Sequence, residues 1–305
     1  MRKFLTGILG VIVFCITFTI FNTVNALDVV FSEDRPDLRT LDPRITQSRH
    51  EEMMIVQMFD QLISADSNGN LYPGLAKSWD VSSNGLQYTF NLRDDVTFHD
   101  GTKFNAAAVK TTFDSIVDPE TGSQGAIDIL GPYASSDVVD EYTVRVNFTR
   151  RYGSALSAFT ETELSIVSPT ALNSLGNDGF GMAPIGTGPF MFKNWEANKK
   201  VEMVKNPDYN WAPEYMDGSG PSKVDNLTYR LIKDTSTRVA ALESGEVDIA
   251  ELVPPLDMRR FDGSGKLNTI TGTVSGLPYS AFLNTTVGHF QDIKVRQAFF
   301  YSLDR

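Results

Sequence analysis

The chain has 305 residues, 41% hydrophobic and 21% charged, and its 27 basic and 38 acidic side chains leave a formal net charge of −11. This is the composition of a soluble globular protein long enough for one large or two ordinary domains. No run of Lys and Arg offers the clustered charge that phosphate contacts require, so nucleic acid is not expected as a partner and the acidity reads as solubility.

Arg2-Lys3 open the chain, an apolar run follows over residues 4–21, and Val24-Asn25-Ala26 offers a small residue for cleavage. The pattern is a secretory signal peptide over residues 1–26. An uncleaved membrane anchor is the rival, because the run approaches spanning length, but no basic stop-transfer cluster follows it. The single cysteine, Cys15, follows bulky Val13-Phe14, unlike a lipid-anchor site, and the rest of the chain has no disulfide or thiol chemistry. The expectation is a soluble periplasmic protein.

Residues 27–31 read as a first strand and Leu41-Asp42-Pro43 as a turn. Ser48-Arg49-His50-Glu51 fits a capping box, with Ser48 as N-cap and Glu51 reaching back, and Ile55, Phe59 and Leu62 recur at helical spacing behind it. Asn68-Gly69 closes that unit. Tyr88, Phe90 and Leu92 alternate with polar residues between the Asn84-Gly85 and Asp100-Gly101 turns, which predicts a strand with one buried face. Asn105 then caps a helix carrying Val109, Phe113 and Ile116 on one side, with Trp79 as a core anchor. Residues 118–132 are loop-like, Tyr142, Val144, Val146 and Phe148 alternate as a strand, and residues 155–159 form a short helix or turn. Residues 173–184, rich in Gly, Asn, Asp and Pro, are the best boundary candidate. Beyond them come strands at 190–195, 201–205 and 227–232, a helix begun by Asp234 and ended by Gly245, and a strand at 247–250. Strand, short helix, strand is a parallel crossover, which makes the class α/β. Val295, Phe299 and Leu303 place an amphipathic helix at the end of the chain, with no cap after it.

Reactive chemistry is sparse. There is no G-x-S-x-G elbow and no phosphate loop. His50, His99 and His289 are scattered, and His50-Glu51-Glu52 lacks the second histidine of a zinc helix, so no metal or cofactor is expected. Glu161 and Glu163 fit a solvated edge or loop better than a catalytic pair. Trp79 and Trp195 occupy core-patterned positions; Trp211 is the remaining tryptophan that could stack on a ligand.

One resemblance runs through nearly the whole chain after the leader. Pro73-Gly74-Leu75-Ala76, Ser78-Trp79, the 86–93 strand and Phe98-His99-Asp100-Gly101-Thr102 stand in the order seen in the extracytoplasmic solute-binding proteins of ABC importers, family 5, the oligopeptide/dipeptide/nickel class. Gly186-Thr187-Gly188-Pro189-Phe190, Asn206-Pro207-Asp208-Tyr209, the 240–248 stretch and Val295-Arg296-Gln297-Ala298 agree. The resemblance implies a periplasmic-binding-protein-like fold of the large two-lobed, cluster C type with mixed β-sheets. It implies lobe I at 27–47 and 181–268, an accessory α/β domain at 48–180 inserted in it, and the start of lobe II at 269–305, most of that lobe being missing.

The same resemblance implies no catalysis. A monomer would capture a peptide-like or opine/sugar-conjugate solute between its lobes and deliver it to permease subunits. In peptide binders the segment after the Leu-Asp-Pro turn lies along the ligand, which implies roles for Gln47, Ser48 and Arg49. The helix start at Ser48 and the Arg49 guanidinium suit an anionic group, although Ser48 as a plain cap and Arg49 as a solvated charge fit equally. An aromatic wall of peptide binders falls at Gly125 here, a departure that argues for a different solute, and Tyr279 and Ser280 fall where lobe II faces the cleft. With the second lobe cut short, residues 27–305 alone are expected to bind ligand weakly or not at all. The rival readings are a sensory binding module, a nonfunctional remnant and, further off, a periplasmic hydrolase.

Overall fold

A computed structural model of the chain describes residues 27–34, 37–216, 218, 220–265, 267–270 and 281–303. The proposed leader over residues 1–26 lies outside them. No helix among the described residues is long and apolar enough to cross a membrane. The chain forms two compact units, one up to Pro254 and one from Pro255 onward.

The first unit runs β1 (Asp28–Glu33), α1 (Arg49–Met58), β2 (Ile63–Ala65), β3 (Leu71–Pro73), β4 (Ala76–Val81), β5 (Gln87–Leu92), α2 (Ala106–Val117), α3 (Gly125–Leu130), β6 (Tyr133–Asp140), β7 (Thr143–Phe148), α4 (Ala155–Ala158), α5 (Pro169–Met182), β8 (Phe190–Glu196), β9 (Lys200–Lys205), β10 (Asn226–Leu231), α6 (Thr235–Ser244) and β11 (Ile249–Ala250). The second unit holds α7 (Pro255–Ser264) and α8 (Ile293–Tyr301), the latter capped by the Asp292 side chain. The sequence placed Val295, Phe299 and Leu303 on one helix; the helix covers the first two and stops short of Leu303.

Two larger sheets carry the first unit, beside the two-stranded antiparallel pair β2-β3. A five-stranded mixed sheet has the order β11-β1-β10-β9-β8, and a four-stranded antiparallel sheet the order β4-β5-β7-β6. In the mixed sheet β10 and β11 both lie parallel to β1, one on each side, so α6 carries the chain across β1. The Asp234 carboxylate accepts from Thr237 N to start α6, and Gly245 ends it in the left-handed region at φ 77°. In the antiparallel sheet the period of two holds. Tyr88, Phe90 and Leu92 of β5 and Val144, Val146 and Phe148 of β7 all point into a core that also takes Val109, Phe113 and Ile116 from α2. Phe159 sits at its centre, 5.0 Å from Phe90 edge-on and 5.7 Å from Phe113 stacked. A second core, with Met54, Ile55, Met58, Phe180, Met203 and Tyr229, fills the space between the mixed sheet, α1 and α5.

Several sequence expectations change here. Ser48 begins α1 without a side-chain cap, and Glu51 does not reach back to it. Instead Glu51 is buried and accepts from Arg39 N, Thr40 N and Thr46 Oγ1, because the preceding loop supplies donors closer than the helix terminus does. Helix α1 stops at Met58, so Phe59 reaches its core from extended backbone and Leu62 from the bend that leads into β2. Residues 173–184 are largely helical, part of α5, which breaks at Gly176 where φ is 68° and ψ 177°; their composition signals a kink rather than an open linker. Residues 118–132 hold a 3-10 turn at Pro119–Thr121 and α3, not only loop. Trp79 packs on the core while only partly buried, whereas Trp211 is buried and so is no open stacking platform.

The end of α1 is clasped by the Gly186–Phe190 turn. Gly188 N donates to Met58 O at 2.9 Å, and a side-chain carbon at Gly186 would lie 2.2 Å from that same carbonyl oxygen. His99 holds the turn from outside, its backbone N donating to Gly186 O and its Nε2 to Gly188 O, both at 2.9 Å. Just past α1, Asp60 accepts from Thr187 Oγ1 at 2.7 Å, Tyr209 OH at 3.0 Å and Trp211 Nε1 at 3.0 Å. Burial pushes this carboxyl up and the three donors oppose the shift. The family-like words of the sequence therefore meet around one helix end and set the direction in which its other end points.

Candidate functional site

The other end of α1 opens onto a pocket. Residues 37–48 link β1 to α1 and are held from beneath by buried polar groups. Arg44, fully buried, pairs with buried Asp42 through Nη2 to Oδ2 at 2.6 Å and Nε to Oδ1 at 3.1 Å. Its remaining donors reach Ser115 Oγ of α2 and Asn177 Oδ1 of α5, and the guanidinium lies over the Phe180 ring. A buried ion pair is sound only when its spare donors are satisfied, as they are here. Leu41 N donates to Gly181 O, adding a second tie to α5. With Glu51 binding Arg39, Thr40 and Thr46, both ends of the loop are anchored, and Gln47, Ser48 and Arg49 face outward on a rigid base.

A cavity of about 510 Å³ results, lined by Asp37, Leu38, Arg39, Gln47, Ser48, Arg49, His50 and Glu51. A neighbouring cavity of similar size shares Arg39, Gln47 and Glu51 and extends to Gly122, Gln124 and Asn177. Gln47 Nε2 donates to Gln124 Oε1 at 2.7 Å across this second space. Gly125 is adjacent: a side-chain carbon there would stand 3.4 Å from Thr46 O. Gln47, Ser48, Arg49 and Gly125 thus gather in one region, while Tyr279 and Ser280 lie outside the described residues.

Arg39 and Arg49 are exposed, and among the described residues neither forms an ion pair; the Arg49 charge partly offsets the raised pKa of Glu52. Glu52 is itself raised by burial and by Glu163 and Glu161, the latter two flanking a 3-10 turn at Thr162–Leu164. Two guanidinium groups outside any ion pair, beside the first free N–H groups of a ten-residue helix, offer donors to a carboxylate or other planar anion, in a pocket that Asp37 and Glu51 also line. Arg39, Gln124 and Asn177 were not singled out from sequence, and His50 was read there as a scattered histidine with no ligand role. The four come from separate elements or loops, and no period or motif links them.

Comparison with known proteins identifies the family. Residues 70–305 match the family described as bacterial extracellular solute-binding proteins, family 5 Middle, and the chain belongs to that family. It is 30% identical over 266 residues to the glutathione-binding protein GsiB of Pectobacterium atrosepticum, a match covering 87% of this chain and 50% of the relative. Among solved structures, NikZ of Campylobacter jejuni in complex with Ni(L-His) superposes with a TM-score of 0.74 at 26% identity, covering 91% of this chain and 53% of the other. The MoaA binding protein of A. tumefaciens in complex with mannopinic acid gives a TM-score of 0.77 at 24% identity, covering 92% and 56%, a likeness of fold. The α/β periplasmic-binding-protein architecture expected from sequence is therefore the observed one, and the named relatives are binding proteins rather than enzymes. The chain spans about half the length of the curated relatives it matches.

Proposed function

We propose that this protein is the exported, periplasmic solute-binding component of an ABC importer, and that it captures a small carboxylate-bearing solute at the α1 pocket and passes it to permease subunits. The observation that carries the reading is the rigidly based strip Gln47-Ser48-Arg49 with Arg39 beside it, in a chain of the family 5 class. A glutathione-like peptide fits best. The relative GsiB is named for glutathione, and the pocket offers two arginines to a ligand with two carboxylates. Opines and sugar conjugates share the carboxylate and belong in the same screen. Gly125, where peptide binders place an aromatic, would leave room beside Thr46 for a bulkier group.

In this proposal residues 27–47 and 181–268 form lobe I and 48–180 an accessory domain. The separate strand memberships of the two sheets support the division, whereas α1 and α5 pack in the core of the mixed sheet and residues from Pro255 onward fall in the second unit, so those boundaries shift. Tyr279 and Ser280 belong to this proposal as ligand-contacting residues on family likeness alone, and closure of a second lobe would supply most of the affinity. The protein would act as a monomer and catalyse nothing.

The test is an amide chemical-shift titration of residues 27–305 with reduced glutathione, a tripeptide amide and an opine acid. Shifts centred on residues 39–51 and lost in Arg49→Ala are expected, with affinity weaker than micromolar. Shifts scattered over the surface, or unchanged in Arg49→Ala, would remove the pocket assignment. Micromolar binding by calorimetry would show that a second lobe is not needed.

A further inference from the structure

Beside the pocket, at the carboxyl ends of two parallel strands, lies a group of side chains that the solute reading does not use. Glu33 ends β1, Asp34 follows it, Glu251 follows β11, and His50 stands in the first turn of α1. One oxygen from each carboxylate and Nδ1 of His50 all lie within 4.8 Å of one another. Nδ1 is 2.5 Å from Glu33 Oε1, 3.7 Å from Asp34 Oδ1 and 3.7 Å from Glu251 Oε1.

Among the described residues the group has fewer counter-charges than its burial calls for. Glu33 is fully buried, and no hydrogen-bond donor among the described residues reaches its Oε2, nor Asp34 Oδ1, nor Glu251 Oε1. Buried acceptors are nearly always paired, so three in one place call for an occupant. Among the described residues His50 is the only cationic side chain within ion-pair distance of these carboxylates. The buried Arg238 is committed elsewhere, its guanidinium donating to the backbone carbonyls of Glu251, Ile232 and Lys233 and to Thr235 Oγ1.

We propose that Glu33, Asp34, His50 and Glu251 form a binding site for one divalent first-row cation, zinc or manganese, which ties β1, β11 and α1 together next to the pocket. Three carboxylate oxygens and one imidazole nitrogen are the donor set such ions take. Bonds of about 2.0–2.2 Å in a four-coordinate site place neighbouring ligand atoms roughly 3.4 Å apart. To reach that spacing the two 3.7 Å separations close by a few tenths of an ångström and the 2.5 Å contact between His50 Nδ1 and Glu33 Oε1 opens by roughly 0.9 Å, all four ligand atoms already lying within 4.8 Å of one another. The cation would replace the proton between His50 Nδ1 and Glu33 Oε1. The positive end of α1 opposes a cation at His50, but its partial charge is small against three carboxylates. Because His50 also lines the pocket, the ion would stiffen the helix turn that presents Ser48 and Arg49.

The experiment uses residues 27–305 after chelator treatment, titrated with zinc chloride and manganese chloride and read by native mass spectrometry, calorimetry and thermal unfolding. One equivalent of bound metal and a raised Tm are expected. His50→Gln and Glu251→Gln should each bind at least about tenfold more weakly while keeping the native circular dichroism spectrum. Asp34→Asn, at a partly exposed position, serves in place of either variant that does not fold. No 1:1 uptake at about 100 μM metal, or uptake undiminished in the folded variants, would overturn the site. A Glu251→Gln protein that is more stable than the parent and indifferent to metal would likewise overturn it, identifying the occupant as a proton shared between Glu33 and Glu251.

Discussion

Acid should weaken this protein through one buried imidazole. His99 holds the Gly186–Phe190 turn by donating Nε2–H to Gly188 O, and its Nδ1 is shielded from water without a partner. Burial pushes its pKa from 6.5 down to about 4, against the opposing effects of the Gly188 carbonyl and Asp100. A base whose folded pKa is depressed stabilises the fold above its unfolded pKa, and that stability is lost as pH falls toward the folded value. Between pH 6.5 and 4 the unfolded chain binds the proton more readily than the native one, so stability must fall with pH. Each pK unit is worth about 1.36 kcal/mol, which gives a loss of about 2 kcal/mol between pH 7.5 and 5 and about 3 kcal/mol by pH 4. Other carboxylates titrate in the same range, so the informative quantity is a difference. Urea unfolding of the parent and of His99→Gln, which retains an amide donor for Gly188 O, should be compared at pH 7.5 and 5. The variant should lose about 2 kcal/mol less than the parent over that interval. Parallel losses in the two proteins would refute the assignment.

Other outcomes follow from the same geometry. Gly186→Ala would drive a carbon to 2.2 Å from Met58 O and 2.5 Å from the Phe59 ring, and should cost more than about 3 kcal/mol in urea unfolding. Asp60→Ala would strand the donors of Thr187, Tyr209 and Trp211, with an expected loss of about 3 kcal/mol or more and altered tryptophan fluorescence. Asn105→Ala should cost about 1 kcal/mol, because Asn105 Oδ1 accepts from Ala108 N. Ser48→Ala should cost only a few tenths, roughly 0.3 kcal/mol, because that side chain makes no cap bond. Equal losses for the last two would mean that Ser48 caps α1 after all.

What sequence could show depended on range. Strands β5 and β7, the Asn105 cap and the Asp234-to-Gly245 helix are written in residues a few positions apart, where pleat, turn and helix geometry leave a direct trace. Glu51 failed as a capping residue for the opposite reason. Its real partners, Arg39, Thr40 and Thr46, are set by how the preceding loop folds back, which spacing cannot reveal. Gly and Asn in residues 173–184 marked irregularity correctly but not its kind, since a single left-handed glycine breaks a helix without opening a linker. Gln47, Ser48 and Arg49 came from likeness to a family, and the structure adds why they stand together: buried Arg44 and Asp42 lie beneath them. His50 looked like an isolated histidine because the acids around it are 16 or 17 residues before it and 201 residues after it.

The strand order has a consequence for how the chain is made. β1 pairs on both sides with strands from the far end of its unit, and Asn226 Nδ2 donates to Asp28 Oδ1 across 198 residues. A ribosome adding about 5–20 residues per second would need roughly 10–40 s to deliver those partners. Throughout that interval the first strand has nothing to zip against, and the sheet can start only from the sequential β8-β9-β10 pairing at its other side. Late closure of so large a loop makes folding slow, and it keeps the front of the newborn chain extended and threadable until synthesis is nearly past β11.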